Sequence, residues 1–111
     1  VTAVLRPLAL VVLVDGVPTP EPDLMAWAEQ VAADPVGRVD ETTVGDVLVS
    51  TVFLYATDSF GNTFETMTFG GRWDHRCWRY PTRDAAVAGH AAIVEAVRRG
   101  GNPDDVAAGR W

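Results

Sequence analysis

Forty-two consecutive residues, Val49 to His90, carry a nearly unbroken series of strand, turn and helix signals: VSTVFLYATDSFGNTFETMTFGGRWDHRCWRYPTRDAAVAGH. Val47 to Tyr55 is rich in β-branched and aromatic residues and follows the turn signal Gly45-Asp46, while Arg38 to Val44 before it reads as a more polar strand. Together they predict a hairpin. Thr63 to Phe69 is the next strand, ended by Gly70-Gly71, and Asp74 to Tyr80 completes an antiparallel meander stopped by Pro81. Thr82 then suits the N-cap of a helix from Arg83 to Arg99, with Gly100-Gly101 as its stop. At 100° per residue Ala86, Val87, His90, Ile93, Val94 and Val97 share one stripe of that helix, so it packs on a sheet.

Before this stretch, Leu8 to Val14 reads as a buried strand closed by Asp15-Gly16. Pro20 to Asp23 suits a first helical turn, and Leu24, Trp27, Ala28 and Val31 form an apolar stripe that ends at Pro35 and Gly37. The expected order is β-α-β-β-β-β-α: an α+β fold with an antiparallel sheet of four to five strands packed against two helices. At 111 residues the chain suffices for one such domain, spanning 1-101, followed by a loose polar tail at 102-111. Val47 to Tyr55 is apolar on both faces, with Val49, Phe53 and Tyr55 on one side and Val52 and Leu54 on the other. Such a strand is covered twice. Either the two helices take opposite faces or a second subunit takes one.

The longest apolar run, Leu8 to Val14, is too short to cross a bilayer. Asp15, Gly16 and Pro18 stand where a leader's cleavage site would belong, so a cytoplasmic location is the expectation. The lone Cys77 makes no internal disulfide. A net charge of −6 argues against a general nucleic-acid binder. The charge is uneven: residues 1–65 hold ten acids and two Arg, a balance of −8, whereas residues 66–111 hold five acids and seven Arg, a balance of +2.

The segment RWDHRCWRYPTR, residues 72–83, concentrates Arg72, Arg76, Arg79 and Arg83 beside Trp73, Trp78 and Tyr80. Arg and aromatic residues dominate protein interfaces. Arg72, Trp73, Arg76, Trp78 and Arg79 are therefore the candidate partner-binding residues, with Trp73 at the sheet rim after the glycine pair. The structural alternative has these arginines pairing with acids of the N-terminal half.

Other chemistry is thinner. His75 and Cys77 are two apart on an expected strand, and His90 sits on the inward helical stripe, an incomplete zinc-like set with no residue singled out as a fourth ligand. No metal or cofactor is expected. Glu65 and Asp58 flank the central loop, but nothing in the sequence places a second carboxylate near Glu65. The alternative to an interaction domain is a small enzyme drawing an acid/base pair from Glu65, His75 and His90, which would need a concave polar pocket gathering all three. His90 is expected to be structural.

The motifs taken in order, Trp27-Ala28, Arg38-Val39, VSTVFL (49–54), FETM.FGG (64–71), RY.T (79–82) and A.AGH (86–90), resemble a family of small proteins without an assigned activity, encoded by actinobacteria and their phages. The resemblance covers residues 10 to 98 and carries no assigned activity to transfer. Where that family follows VSTVFLG with a DH pair and a Pro-containing loop, this chain has Ala56, Thr57, Asp58 and Ser59. A chain with no Lys and one Ile also fits a GC-rich genome. The resemblance suggests a phage or prophage accessory factor that acts on a host protein, with self-association as a further expectation.

Overall fold

A computed structural model describes residues 9–106. The described chain is an α+β fold: β1 (Val11–Val14), β2 (Val17–Pro20), α1 (Leu24–Ala33), β3 (Arg38–Val44), β4 (Val47–Phe53), β5 (Phe64–Phe69), β6 (Cys77–Tyr80), α2 (Arg83–Arg98) and a 3-10 turn at Pro103–Asp105. The expected meander is present as a four-stranded antiparallel sheet in the order β3-β4-β5-β6. Its first turn places Gly45 at φ 60°, the conformation that favours glycine in a tight hairpin. Leu8, the first residue of the expected N-terminal strand, lies outside the described residues.

The N-terminal part departs from expectation. Asp15 and Gly16 both take positive φ, 52° and 79°, and fold β2 back on β1 as a separate two-stranded sheet. Proline disfavours a central strand, yet Pro18 and Pro20 are tolerated here because β2 pairs on one side only. The helix therefore starts later than Pro20. Asp23 is its N-cap, accepting from the amides of Met25 at 2.9 Å and Ala26 at 3.3 Å. The hairpin is tied to the main sheet where the Val11 amide donates to the Tyr55 carbonyl at 3.0 Å and Leu10 bridges Ala56.

The core lies between α2 and one face of the main sheet. Alternation along β4 buries Val47, Val49, Thr51 and Phe53 on that face. Phe53, Phe64 and Tyr80 pack with Val11 and Ala86 at one end, and Val47 and Val49 with Ile93 and Val94 at the other. Each buried aliphatic or aromatic side chain contributes about 1.5–3 kcal/mol. On α2, Gly89 and Ala96 join Ala86, His90, Ile93 and Val94 in the buried stripe, while Val87 is 43% exposed. Gly89 is where α2 meets Tyr80: a Cβ there would collide with the phenol ring.

The opposite face answers the question of double coverage. The helix α1 has no buried residue and packs chiefly against β1, anchored by the Trp27 indole N–H donating to the Tyr55 carbonyl at 2.8 Å. Leu24 and Met25 in its first turn are exposed. The sheet is therefore packed against one helix, and among the described residues no element covers the second face. The chain after Gly101 also differs from a loose tail. Pro103 is fully buried, and the Asn102 side chain accepts from the Asp104 amide at 2.9 Å. Residues 107–111 lie outside the described residues.

Candidate functional site

Residues 70–76 form a loop closed by its own hydrogen bonds. Gly70 and Gly71 take positive φ, and so does His75 at 60°. Asp74 accepts from the Gly70 amide at 2.6 Å, the His75 amide donates to the Thr68 carbonyl at 2.7 Å, and the Thr68 amide donates to the Arg76 carbonyl at 3.0 Å. The strand expected from Asp74 consequently begins only at Cys77. This loop presents Trp73, partly exposed, between two guanidinium groups: Arg72 lies 5.0 Å and Arg76 5.4 Å from the indole centroid.

The five candidate residues do not form one surface. Arg72, Trp73 and Arg76 make the rim group. Trp78 stands apart from the rim: it pairs with Thr66 on the α2 face and packs, partly buried, against both core clusters. Its indole N–H donates to Asp104 at 2.8 Å, and the other Asp104 oxygen accepts from Arg76 at 2.7 Å. Arg79 lies on the opposite face, pairing with Glu65 at 3.0 Å and Asp58 at 3.3 Å. The alternative of arginines neutralised by N-terminal acids thus holds for Arg79, whereas Arg76 takes a C-terminal acid.

That second face does bring a carboxylate close to Glu65, a proximity that residue spacing alone does not reveal. Asp58 reaches the same Arg79 because its loop folds around it, with its side chain accepting from the amides of Phe60 at 2.8 Å and Asn62 at 2.9 Å. Burial pushes its pKa up, but the Asn62, Phe60 and Arg79 donors outweigh burial and hold it below 3.8. The carboxylate is thereby committed to shaping the loop. A hollow of about 280 Å³ beside it is lined by Leu54, Ala56, Thr57, Asp58 and Arg79.

The sheet keeps the acid/base candidates apart. Glu65 faces Arg79 on the uncovered side, His75 pairs with Asp74 at 3.0 Å in the exposed loop, and His90 is sealed beneath α2. Cys77 is exposed on the side opposite His90, so the zinc-like set is not assembled. No group of three potential metal-ligating His, Cys, Asp or Glu residues occurs among the described residues.

His90 instead anchors a buried polar chain. Its Nδ1 lies 2.7 Å from the Thr51 hydroxyl, which lies 2.6 Å from that of Thr66. Its Nε2 lies 2.9 Å from the Thr42 hydroxyl and 3.5 Å from Asp40. A neutral ring with the proton on Nε2 satisfies every member: Thr66 donates to Thr51, Thr51 to Nδ1, and Nε2–H points at Thr42 and Asp40. Burial lowers the His90 pKa from 6.5, with Asp40 opposing. Thr51 and Thr66 are fully buried, so no substrate reaches these hydroxyls.

No known protein-family model, curated protein or solved structure matches this chain. Among the described residues, no helix is long and apolar enough to cross a membrane.

Proposed function

We propose that this chain is a small cytoplasmic protein-interaction domain that engages a protein partner through the rim of Arg72, Trp73 and Arg76. The observation that carries this reading is the partly exposed indole held between two guanidinium groups on a self-bonded loop. A preorganised aromatic flanked by Arg loses little freedom on binding, which is the economy of a hot spot. The titratable and hydroxyl chemistry of the core is sealed by contrast, and Glu65 and Asp58 are engaged by Arg79. The resemblance to small actinobacterial and phage proteins supports an accessory role acting on a host protein.

The test is affinity capture from an actinobacterial lysate with the parent protein, the Trp73→Ala/Arg76→Ala double variant and, as control, Arg98→Ala, an exposed arginine at the end of α2. A stoichiometric protein partner retained by the parent and the control, and lost by the double variant at unchanged melting temperature, is the expected result. Equal capture by the double variant removes the rim from the binding surface, and stoichiometric capture of nucleic acid in place of protein overturns the reading.

A further inference from the structure

The polar residues beneath α2 form a row with two unusual ends. Registers align Asp40, Thr51, Thr66 and Trp78 across the covered face of the sheet, and His90 bonds to the second member from above. Asp40 stands on the edge strand beside the β3 bulge, its side chain 52% exposed against 3% for that of His90. One of its carboxylate oxygens accepts from the Glu41 amide at 2.8 Å, and the other faces Nε2 of His90 at 3.5 Å, longer than an ordinary hydrogen bond. At the other end Tyr80 lies diagonal to Thr66 on the same face. Among the described residues its hydroxyl is the one buried side-chain polar atom without a partner, and α2 closes over it at Gly89.

We propose that this row is a proton-driven switch with two complete hydrogen-bond states, the protonated one being held by the folded chain. In the neutral state Thr66 donates to Thr51 and Thr51 to Nδ1, which leaves the Tyr80 oxygen over. An imidazolium has a donor on both nitrogens. Its Nδ1–H donates to Thr51, Thr51 turns its own proton to Thr66, and Thr66 turns its proton to the Tyr80 oxygen. One proton comes from solvent and stays on the ring, while each hydroxyl keeps its own and rotates. On the other side, Nε2–H closes on the free Asp40 oxygen as an ion pair that ties β3 to α2. The orphan phenol oxygen and the long Asp40 contact are thus the two acceptors that a charged ring requires and a neutral ring leaves unused.

The surroundings of the ring leave Asp40 as the charge that decides. α2 packs against all four strands of the main sheet and against the 3-10 turn. From β3 come Asp40 and the neutral Thr42, from β4 and β5 the two threonines, and from β6 the Tyr80 phenol, since Cys77 and Arg79 lie on the opposite face. In the turn, Asp104 is taken by Arg76 and Trp78, and on α2 itself Asp84, Glu95 and Arg98 lie outside the buried stripe. A buried charge is tolerated when it has both a counter-ion and a satisfied set of hydrogen bonds, and it unfolds a core when either is lacking. Burial opposes charging of His90 and Asp40 favours it, so the conversion falls on the acid side of neutrality.

Imidazole proton–nitrogen correlation NMR between about pH 8 and pH 4 tests this with the parent, Tyr80→Phe and Asp40→Asn. His75, in the exposed loop, is the reference within each spectrum. The parent is expected to show His90 as the Nε2–H tautomer at the alkaline end and as an imidazolium at the acid end, with its amide signals still dispersed. Tyr80→Phe removes only the terminal acceptor and Asp40→Asn only the negative charge, and each is expected to move the His90 titration to lower pH while leaving His75 in place. An Nδ1–H tautomer in the parent, or collapse of its amide dispersion before His90 titrates, overturns the proposal without recourse to any variant. A His90 titration indifferent to Tyr80→Phe overturns the reversal of the hydroxyls, and one indifferent to Asp40→Asn overturns the ion pair. None of these residues belongs to the Trp73 rim, so the outcome is independent of the partner-capture experiment.

Discussion

His90 shows how a residue can be legible while its partners are not. Its place in an apolar helical stripe marks it as structural from the sequence, but Thr42, Thr51 and Thr66 read simply as the polar half of a strand alternation. Only the register reveals that they turn inward under α2. The lowered His90 pKa has a consequence for stability. The unfolded chain protonates the imidazole below about 6.5 and the folded chain does so only at lower pH, so the unfolded state binds more protons in that window. The stabilisation is present above pH 6.5 and is lost as pH falls toward the folded pKa. Urea titrations between pH 7.5 and 5 should show a fall in unfolding free energy that His90→Ala lacks, and a variant with the same slope as the parent would count against a buried neutral ring. Thr51→Val, which strands Nδ1 and Thr66, is expected to cost about 1–3 kcal/mol by the same method. Tyr80 is the contrast. Its hydroxyl is buried with no group in hydrogen-bond geometry, the Thr66 hydroxyl being taken by Thr51, and burial pushes its pKa up to about 12. Tyr80→Phe should therefore be neutral or stabilising by up to about 1 kcal/mol, and a clear loss would reveal a partner for that hydroxyl.

The elements were readable wherever period and punctuation agreed. The β3–β4 turn, the β5 strand and the Thr82 cap of α2 follow from Gly45, from alternation and from a threonine before an amphipathic run, and the Thr82 side chain accepts from the Ala85 amide at 3.1 Å. Strand β2 was hidden because VPTP carries two prolines, which argue against a strand unless its pairing is one-sided. The orientation of Trp78 is hidden for a related reason: an aromatic between arginines looks like surface, whereas strand parity turns it toward α2 while Arg79 turns away. Gly89 gives a test that separates propensity from packing. A mid-helix glycine replaced by alanine ordinarily gains about 0.5–1 kcal/mol. Here the new methyl would meet the Tyr80 ring, so Gly89→Ala is expected to lose about 1–3 kcal/mol in thermal or urea unfolding, because a well-packed core resists added volume. A gain would mean that Tyr80 can move aside without cost.

At the scale of the molecule, principal extents of 44 × 41 × 22 Å describe a plate in which α2 covers one face of the main sheet. The sequence showed that β4 is apolar on both faces, but not that α1 would dock on the hairpin and leave the second face open. It also gave no sign that the chain returns to the sheet after α2, since Asn102-Pro103-Asp104-Asp105 reads as loop. Yet Asp104 holds both Arg76 and the Trp78 indole, and the neighbouring Pro103 is buried where its turn packs against α2. The two bonds can be separated. The Arg76 pair is exposed and worth little, on the order of 0–1 kcal/mol, whereas the indole N–H of a partly buried Trp loses its acceptor if the carboxylate is removed. Asp104→Asn keeps an oxygen for Trp78 while discarding the charge, so its unfolding free energy should lie within about 0.5 kcal/mol of the parent. Asp104→Ala should lose about 1–2 kcal/mol, and adding Pro103→Gly should deepen that loss by removing a buried ring. Trp fluorescence during urea unfolding follows both. If the Asn and Ala variants melt alike, the segment after α2 is held by its ion pair, and if neither differs from the parent, it contributes nothing to the stability of the plate.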